Sequence, residues 1–546
     1  MNTKSLAILM LILSTFLLNA QELKINKLSK EERLKIDAFL SATYAKEITG
    51  AAVLASRNGK VIYENYSGLS DVQHERPVKH STKFNIGSIT KQFTATAILL
   101  LQEQGKLKVS DYLGEHMEMF TKEQYPIKIE HLLTHTSGIH SKKLIQASET
   151  GVSKVDSNSF ELLFTPGEKY EYSNNGYILL GLLIEKISGL PYKDFIGKHI
   201  FIPLKMTSST FTNDNEAIKQ KALGYYHDEN GKAELVDEYV STFSAGDIVS
   251  TPRDMNKWVT GLFNHKLINR SSLSAMLKDY QLNNGEKINY GYGWELNEVQ
   301  NLHSYEHSGG TPGFKANSIY IPDEKQYIIV MQNTEIGSPT YPSIQIASML
   351  IKNPYPLASE ALILSRTALE KFIGTYALEN GDERYIGYND ATGLYYKRLG
   401  GQERTLYVRD KRTLSFAEGY VNFNFSEDSD MGYKRFEYKN RRSPRSVGFK
   451  TTTAVPKKNE IVQVELNELK NKVGNYVFEQ FTMMISLESG VLFAQPKGSD
   501  KEELTPKGNN QFFIEALGAE IEFTNDGEKH YLNLILEGNA MNGVRE

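Results

Sequence analysis

The internal repeat near the C terminus is the sequence feature that most restricts the fold of this chain. LEKFIGTY at residues 369–376 recurs as LKNKVGNY at residues 469–476, with the glycine and the tyrosine in the same places. Alternating aromatic stretches follow each copy, a pattern typical of small β structures. We therefore predict two tandem all-β, barrel-like modules, at residues 361–455 and 460–546, joined near the polar stretch PKKNE at 456–460.

The residues before the repeat have a different character, and the prolines of NPYPLASE at 353–360 mark the change. Helical patterns there lie between antiparallel hairpins such as ITGAAVLASRNGKVIYENYSG, which carries an Asn-Gly turn. This mixture predicts an α+β domain at residues 21–355, with an antiparallel sheet flanked by helices and a helical subdomain. The 546 residues thus divide into several cores, as a chain of this length requires.

The first twenty residues have the layout of a secretory signal peptide. Lys4 precedes an apolar run that ends at Ala20, before the polar QELK. We predict cleavage after residues 1–20 and a mature protein in the periplasm or outside the cell. No later apolar run reaches the roughly 18 residues of a transmembrane helix, so none is predicted in the mature chain. A net charge of −4 argues against nucleic acid as a partner, and the absence of cysteine excludes disulfides.

A candidate reactive pair begins the apolar segment FNIGSITKQFTATAILLLQEQGKL, residues 84–107. Ser88 lies where a helix should start, so its backbone N–H groups are unpaired and the helix dipole favours developing negative charge. The i, i+3 spacing puts the Lys91 amine beside the Ser88 hydroxyl. Alone, the pattern equally fits a helix-capping serine followed by a lysine that reaches solvent.

Two further short motifs follow in the same order. PGEKYEYSNNGY contains Tyr172-Ser173-Asn174 just before another apolar helix. A phenol that faces an ammonium can titrate far below its usual pKa of about 10, so we expect Tyr172 to exchange protons with a serine. EHSGGTPGF contains His307-Ser308-Gly309-Gly310 before a strand, where glycines permit a close backbone approach. Taken singly, these motifs also fit a capped loop and a glycine-rich turn.

Together the three motifs resemble the serine β-lactamase and penicillin-binding protein superfamily, specifically its class C-like branch of DD-peptidases, esterases and D-aminopeptidases. IEHLLTHTSGI, SAGDIVSTPRDM and YGYGWELN also look like that branch. The resemblance covers roughly residues 30–352 and implies a β-lactamase/transpeptidase-like catalytic domain. The trailing modules look like the small β modules often appended to such hydrolases.

The resemblance implies a mechanism and assigns a role to each motif. Ser88 would be the nucleophile, with Lys91 and Tyr172 as the base system. Asn174 would hold Lys91 and the substrate amide. The backbone N–H groups of Ser88 and Gly310 would form an oxyanion hole. No metal and no organic cofactor is implied.

The third motif departs from that of the β-lactamases in the superfamily, which carry Lys-Thr-Gly where this chain has His307-Ser308-Gly309. A histidine at this position resembles the third motif of the DD-peptidase and esterase relatives. Efficient β-lactam hydrolysis is therefore less expected. We expect His307 to offer a switchable positive charge to a substrate carboxylate. Ser308 would donate its hydroxyl in place of the threonine.

The implied function is a secreted serine hydrolase that forms an acyl-enzyme on a small molecule or peptide with an amide or ester bond, peptidoglycan peptides included. A DD-carboxypeptidase or D-amino-acid peptidase and an esterase remain open, with a class C-like β-lactamase third. A penicillin-binding or sensor protein without turnover is the alternative of a different class.

The histidines of HLLTH, His131 and His135, are spaced to bind zinc from one helix face. A zinc protease of this type needs glutamate where this chain has Leu132. We therefore expect these histidines to pack or to stabilise a turn. Trp258, Trp294 and the tyrosines of YGYGW are expected in the core or the cleft wall.

Overall fold

The computed structural model describes most of the chain, and the description below is confined to these residues. They are 28–45, 48–141, 147–148, 151–152, 160–212, 220–227, 231–236, 241–398, 402–429, 432–441, 446–455, 464–478, 481–496, 501–508, 510–514, 517–527, 529–536 and 539–545. The predicted signal peptide at 1–20 and the predicted joint at 456–460 lie outside them. The described residues up to Pro354 form one compact unit, and those from Tyr355 on form another.

An antiparallel sheet forms the centre of the first unit, and six strands of it lie in the described residues. In sheet order these strands are Glu295–Val299, Leu302–Thr311, Phe314–Ile321, Gln326–Gln332, Ala51–Arg57 and Lys60–Ser67. The strand Ala51–Arg57 of the N-terminal hairpin pairs with the strand Gln326–Gln332, with Ala51 opposite Gln332. The hairpin thereby joins the same sheet as the strands from later in the chain. Its Asn58-Gly59 turn has positive φ at both residues, as the sequence predicts for such a hairpin.

Helices cover both faces of this sheet. The helix Pro252–Phe263 packs on one face, where Asn256 accepts a hydrogen bond from Ser56. The helix Thr340–Leu350 packs on the other, where the Leu350 carbonyl accepts from Arg57. Successive residues of a strand point to opposite faces, so these two contacts identify the two layers. The predicted α+β architecture is confirmed.

The helix Thr90–Glu103 lies at the centre of the helical subdomain and is buried along almost its whole length. A helix that is apolar on all sides needs protein around it. It packs against Asn174–Ser188, and Phe93 stacks on Trp258 with ring centroids 3.9 Å apart.

The helices described in this unit are Lys30–Thr43, Thr90–Glu103, Leu113–His116, Ile129–Leu133, Asn174–Ser188, Tyr192–Ile196, Ile202–Leu204, Pro252–Phe263, Arg270–Met276 and Thr340–Leu350, with 3₁₀ turns at Gly87–Ile89 and Phe243–Ala245 and a π-helical turn at Gly197–Phe201. Its short strands are Leu69–Asp71, Arg76–Pro77, Phe84–Asn85, Ile139–Ser141, Ala147–Ser148, Gly151–Val152, Phe160–Leu162, Thr210–Phe211, Tyr225–His227, Ala233–Leu235 and Ile248–Ser250. No helix among the described residues is long and apolar enough to span a membrane.

The second unit consists of two small β structures, as predicted. The first is a sheet whose described strands are, in sheet order, Arg404–Thr405, Gly393–Arg398, Glu383–Asn389, Gly374–Leu378, Ser446–Lys450, Gly432–Lys439, Asn422–Ser429, Thr413–Ser415 and Tyr407–Val408. The second is a closed barrel of Gly474–Val477, Thr482–Glu488, Val491–Pro496, Glu502–Pro506, Gln511–Ile514, Ala519–Asn525, His530–Leu536 and Asn539–Arg545. The 3₁₀ turn Ala358–Glu360 precedes them.

The repeat in the sequence corresponds to a repeat in the structure. A short helix begins each copy, at Arg366–Glu370 and at Leu466–Lys470. The repeated tyrosine then donates its hydroxyl to the carbonyl four residues earlier, over 2.9 Å from Tyr376 and 3.0 Å from Tyr476. Each ring is buried in the core of its own module. The module bounds assigned from the sequence remain a prediction.

Candidate active site

Ser88 lies in the 3₁₀ turn Gly87–Ile89, which continues directly into the helix Thr90–Glu103. The turn is buried on both sides of Ser88, while Ser88 itself is half-buried. The first N–H groups of a helix have no partner within it, so this position presents donors beside the serine hydroxyl. The predicted placement of Ser88 at the start of the apolar helix matches the structure.

Lys91 lies one turn further on, and its side chain is completely buried, with 0% of its surface exposed. Its Nζ lies 3.0 Å from Ser88 Oγ, 2.8 Å from Asn174 Oδ1 and 2.9 Å from the Ala245 carbonyl oxygen. Burial lowers the pKa of the Lys91 amine well below its usual value, because the charged form loses its hydration. The lowered pKa favours the neutral amine, which beside a hydroxyl is a proton acceptor.

Tyr172 and Asn174 flank the N-cap of the helix Asn174–Ser188, where the Ser173 hydroxyl accepts from the Gly176 N–H over 3.2 Å. The cap fixes the chain direction, so that Tyr172 lies over the lysine with Lys91 Nζ 4.8 Å from its ring centroid. The amide oxygen of Asn174 reaches the same Nζ. The structure thus brings Ser88, Lys91, Tyr172 and Asn174 together.

The expected pKa of Tyr172 is wrong in direction. Burial of the phenol raises its pKa above the usual value, and a hydrogen bond with Ser88 acts in the opposite sense. The residue still has 42% of its surface exposed, which moderates the effect of burial. Tyr172 is therefore protonated near neutral pH.

The strand Leu302–Thr311 forms the opposite wall of the site. A Cβ atom on Gly309 would lie 2.0 Å from the Ile86 carbonyl oxygen and 2.9 Å from the Ser88 nitrogen. A Cβ atom on Gly87, whose φ is +51°, would lie 2.6 Å from the Gly310 nitrogen. The two backbones therefore touch without side chains between them, which puts the N–H groups of Ser88 and Gly310 in one small region.

His307 lies differently from what its expected role requires, whereas the expected role of Ser308 stays a prediction. His307 is buried, with 1% of its surface exposed, and its Nε2 lies 2.9 Å from the Tyr290 hydroxyl. Its Nδ1 lies 2.5 Å from the Ser308 carbonyl oxygen. The ring thus contacts the protein and does not present a charge to a substrate. Ser308 is half-buried and lies opposite Asn317 in the sheet register.

The two histidines of HLLTH have separate partners. His131 Nδ1 accepts from the Lys128 N–H, and His135 Nδ1 accepts from the Ser173 N–H. No group of three or more His, Cys, Asp and Glu side chains in the described part of the chain is arranged to bind a metal ion.

Three residues of the site were not identified from the sequence. Ala245 contributes only its backbone carbonyl oxygen, a group that every residue carries, so its residue type does not reveal this role. Tyr290 contacts His307, and His135 lies against Tyr172 with ring centroids 4.2 Å apart. Their membership in the phrases HLLTHTSGI and YGYGW was the available signal, which indicated packing or a turn for the histidine and the core or the cleft wall for the tyrosine.

The sequence of this chain is similar to those of known proteins. Residues 36–347 match the family model described as Beta-lactamase. Over 444 aligned residues the chain is 26% identical to Penicillin-binding protein 4* of Bacillus subtilis (strain 168), covering 75% of this chain and 98% of that protein. It is 31% identical to Protein flp of Staphylococcus aureus (strain MW2) over 327 residues, covering 56% of this chain and 64% of that protein. The similarity to Penicillin-binding protein 4* extends beyond residues 36–347, the region that the family model matches.

Solved structures share the fold. The octameric penicillin-binding protein homologue from Pyrococcus abyssi superposes with a TM-score of 0.54 at 23% identity, covering 76% of this chain and 99% of that one. D-amino acid amidase from Ochrobactrum anthropi SV3, solved with L-phenylalanine amide, superposes with a TM-score of 0.51 at 24% identity, covering 59% of this chain and 99% of that one.

Proposed function

The chain belongs to the Beta-lactamase family, and from this premise we propose that it is a secreted serine hydrolase that forms an acyl-enzyme on Ser88. The observation that carries the proposal is the contact of the Ser88 hydroxyl with a fully buried lysine amine 3.0 Å away. A serine is a weak nucleophile until a neighbouring base takes its proton. The buried Lys91 is such a base because its pKa is lowered.

The first step transfers the Ser88 proton to Lys91 while the serine oxygen attacks the substrate carbonyl. The new bond joins Oγ to the carbonyl carbon, and the carbonyl electron pair moves onto its oxygen. The N–H groups of Ser88 and Gly310 converge on one region and would bind that oxyanion. Each such donor typically contributes about 3 to 4 kcal/mol to the transition state.

The second step breaks the bond to the leaving group, which needs a proton. Tyr172 is protonated, hydrogen-bonds Ser88 and lies beside Lys91, so it can donate to the leaving nitrogen or oxygen. Lys91 then returns its proton to Tyr172. Water attacks the acyl-enzyme by the same path in reverse, releasing the acid and restoring the Ser88 hydroxyl.

The substrate class that we propose is a peptide or amide with a D-amino acid at the scissile bond, as in a DD-carboxypeptidase. The predicted signal peptide, which would export the chain to the compartment of peptidoglycan, supports this class, as does the similarity to a protein named for penicillin binding. The fold shared with an amidase of D-amino acids agrees with it. An esterase remains the second proposal, and a β-lactamase the third.

The test is an intact-mass time course of the purified mature protein with benzylpenicillin, with Ser88→Ala as the control. Penicillin presents a strained amide in the place of the peptide bond, and opening its ring leaves an adduct on the nucleophile. A persistent adduct absent from Ser88→Ala supports a DD-peptidase-like enzyme. A transient adduct with consumption of penicillin supports a β-lactamase.

Two other outcomes would change the proposal. A protein that hydrolyses a simple ester but forms no adduct would be assigned as an esterase or D-aminopeptidase. Equal modification of wild type and Ser88→Ala, or reaction of neither with penicillin, ester or fluorophosphonate, would contradict an acyl-enzyme on Ser88.

A further inference from the structure

A chain of buried hydrogen bonds runs behind the reactive groups and connects the two walls of the site. The Ser173 N–H lies 3.0 Å from His135 Nδ1, and His135 Nε2 lies 3.2 Å from the Tyr290 hydroxyl. That hydroxyl lies 2.9 Å from His307 Nε2, and His307 Nδ1 lies 2.5 Å from the Ser308 carbonyl oxygen.

The two ends of this chain determine the direction of every bond in it. The backbone N–H of Ser173 can only donate, so His135 Nδ1 accepts and its Nε2 carries the proton toward Tyr290. The carbonyl of Ser308 can only accept, so His307 Nδ1 carries a proton. The hydroxyl of Tyr290 therefore accepts from His135 and donates to His307 Nε2. Within this chain, each donor meets an acceptor when both imidazoles are neutral.

His135 holds the segment of Tyr172 by more than this one bond. Its backbone carbonyl accepts from the Glu171 N–H over 2.8 Å, and its ring accepts from the Ser173 N–H. The residues on both sides of Tyr172 are thus bound to one histidine, whose ring lies against the Tyr172 ring. His135 adopts a φ of +59°, in the left-handed region that is uncommon for residues other than glycine. Such strain persists only where surrounding contacts compensate for it.

We propose that His135 and Tyr290 are positioning residues that set the distance between Tyr172 and the Gly309–Gly310 backbone, through a chain of neutral histidines. The inference rests on the proposed function, in which Tyr172 protonates the leaving group and the Gly310 N–H belongs to the oxyanion hole. Neither residue touches the reacting atoms. Each acts through the segment that it holds.

The neutral state of the histidines has a second consequence. Lys91 Nζ lies near the same group of rings, 4.8 Å from the Tyr172 centroid and 5.5 Å from that of Tyr177. A charged imidazole there would oppose any proton arriving on Lys91 during acylation. A chain in which both rings are neutral places no such charge beside Lys91. Burial also holds the pKa of His135 well below its usual value.

The kinetic test compares Tyr290→Phe with Tyr125→Phe. Tyr125 is a suitable control because its ring is also buried, its hydroxyl lies between a donor, Gln124, and an acceptor, the Phe160 carbonyl, and it takes no part in the site. Tyr290→Phe should lower kcat for a simple ester about 10- to 100-fold with KM changed less than about threefold, as for misplaced reacting groups. Tyr125→Phe should keep kcat within about twofold. Similar losses of kcat in both variants would overturn the proposal.

A second measurement needs no activity and is made on the wild-type protein, with variants used only to assign its signals. The wild-type protein is labelled with ¹⁵N-histidine, and the ring nitrogen shifts are recorded at pH 7, with His135→Asn and His307→Asn used for assignment. We expect both rings neutral, His135 protonated at Nε2 and His307 at Nδ1. A charged ring or the opposite tautomer at either residue would overturn the chain.

The two proposals fail in distinguishable ways. Absence of any Ser88 adduct in the wild type would contradict the hydrolase, whereas the ¹⁵N shifts would still decide the hydrogen-bond chain. Normal acylation of Ser88 with the wrong tautomers, or with equal kinetics in Tyr290→Phe and Tyr125→Phe, would contradict only the positioning role.

Discussion

Replacing Gly309 with alanine tests whether the backbone contact beside Ser88 sets the geometry of the reaction. The new Cβ atom would lie 2.0 Å from the Ile86 carbonyl oxygen and 2.9 Å from the Ser88 nitrogen, and both of these are backbone atoms. Real Cβ contacts start near 3.0 Å, so the strand and the Ser88 turn must separate by about 1 Å. No side-chain rotation can relieve this overlap.

The size of the effect follows from that displacement. Misplacing reacting groups by about 1 Å typically costs about 100-fold in rate, or about 2.7 kcal/mol at 1.36 kcal/mol per tenfold. Overpacking of a tight interior also lowers the free energy of unfolding by about 1 to 3 kcal/mol. Gly309→Ala should therefore fold with a lowered melting temperature and acylate Ser88 about two orders of magnitude more slowly.

The assay is the second-order rate of Ser88 modification by a fluorophosphonate, followed by intact mass, beside thermal unfolding. Gly310→Ala keeps the same N–H and should lose less, since its Cβ would meet nothing closer than the Phe314 carbonyl oxygen at 3.9 Å. Gly197→Ala, whose Cβ would have no neighbour within 4 Å, should react as the wild type does. A rate for Gly309→Ala within threefold of wild type would refute the reasoning.

Three further predictions concern single side chains. Lys91→Met should slow Ser88 modification by about 10²- to 10⁴-fold. The pKa of Lys91 is lower in the folded state than in the unfolded chain, so the unfolded chain binds more protons below pH 10.5. The free energy of unfolding of the wild type, measured by urea titration relative to Lys91→Met, should therefore rise with pH. Burial lowers the pKa of His131 to about 4, so the free energy of unfolding should fall by up to about 3 kcal/mol as the pH falls from 6.5 to 4. His131→Asn should flatten this pH dependence, and an unchanged profile in that variant would contradict the prediction. Tyr172→Phe should lower kcat about 100-fold with little change in melting temperature, and full activity would remove Tyr172 from the proton path.

Much of the fold could be predicted because short-range signals determine it. The Asn58-Gly59 turn requires positive φ, and the strands on either side of it pair as a hairpin. The repeated glycine and tyrosine identify two β modules because Tyr376 and Tyr476 make the same local contact. The Ser88–Lys91 spacing places two side chains on one helical turn, which the 3.0 Å contact reproduces.

The remaining parts of the site depend on contacts between distant segments, which residue order does not contain. His307 is buried against Tyr290 instead of pointing outward, because Tyr290 arrives from a neighbouring segment. The pKa of Tyr172 rises because the surrounding protein removes water, an effect set by the whole cleft. His135 has a positive φ, a conformation that a histidine in the sequence does not by itself predict.

The partners of Lys91 explain how the amine can exchange a proton with Ser88 without rearrangement. The Asn174 amide oxygen and the Ala245 carbonyl only accept, so they bind two N–H groups in either protonation state. The third direction points at Ser88 Oγ, which can donate its proton to a neutral amine or accept from an ammonium. Proton transfer therefore reverses one hydrogen bond and leaves the other two unchanged. Since the two fixed acceptors come from different segments of the subdomain, the fold itself holds the lysine in place for both steps.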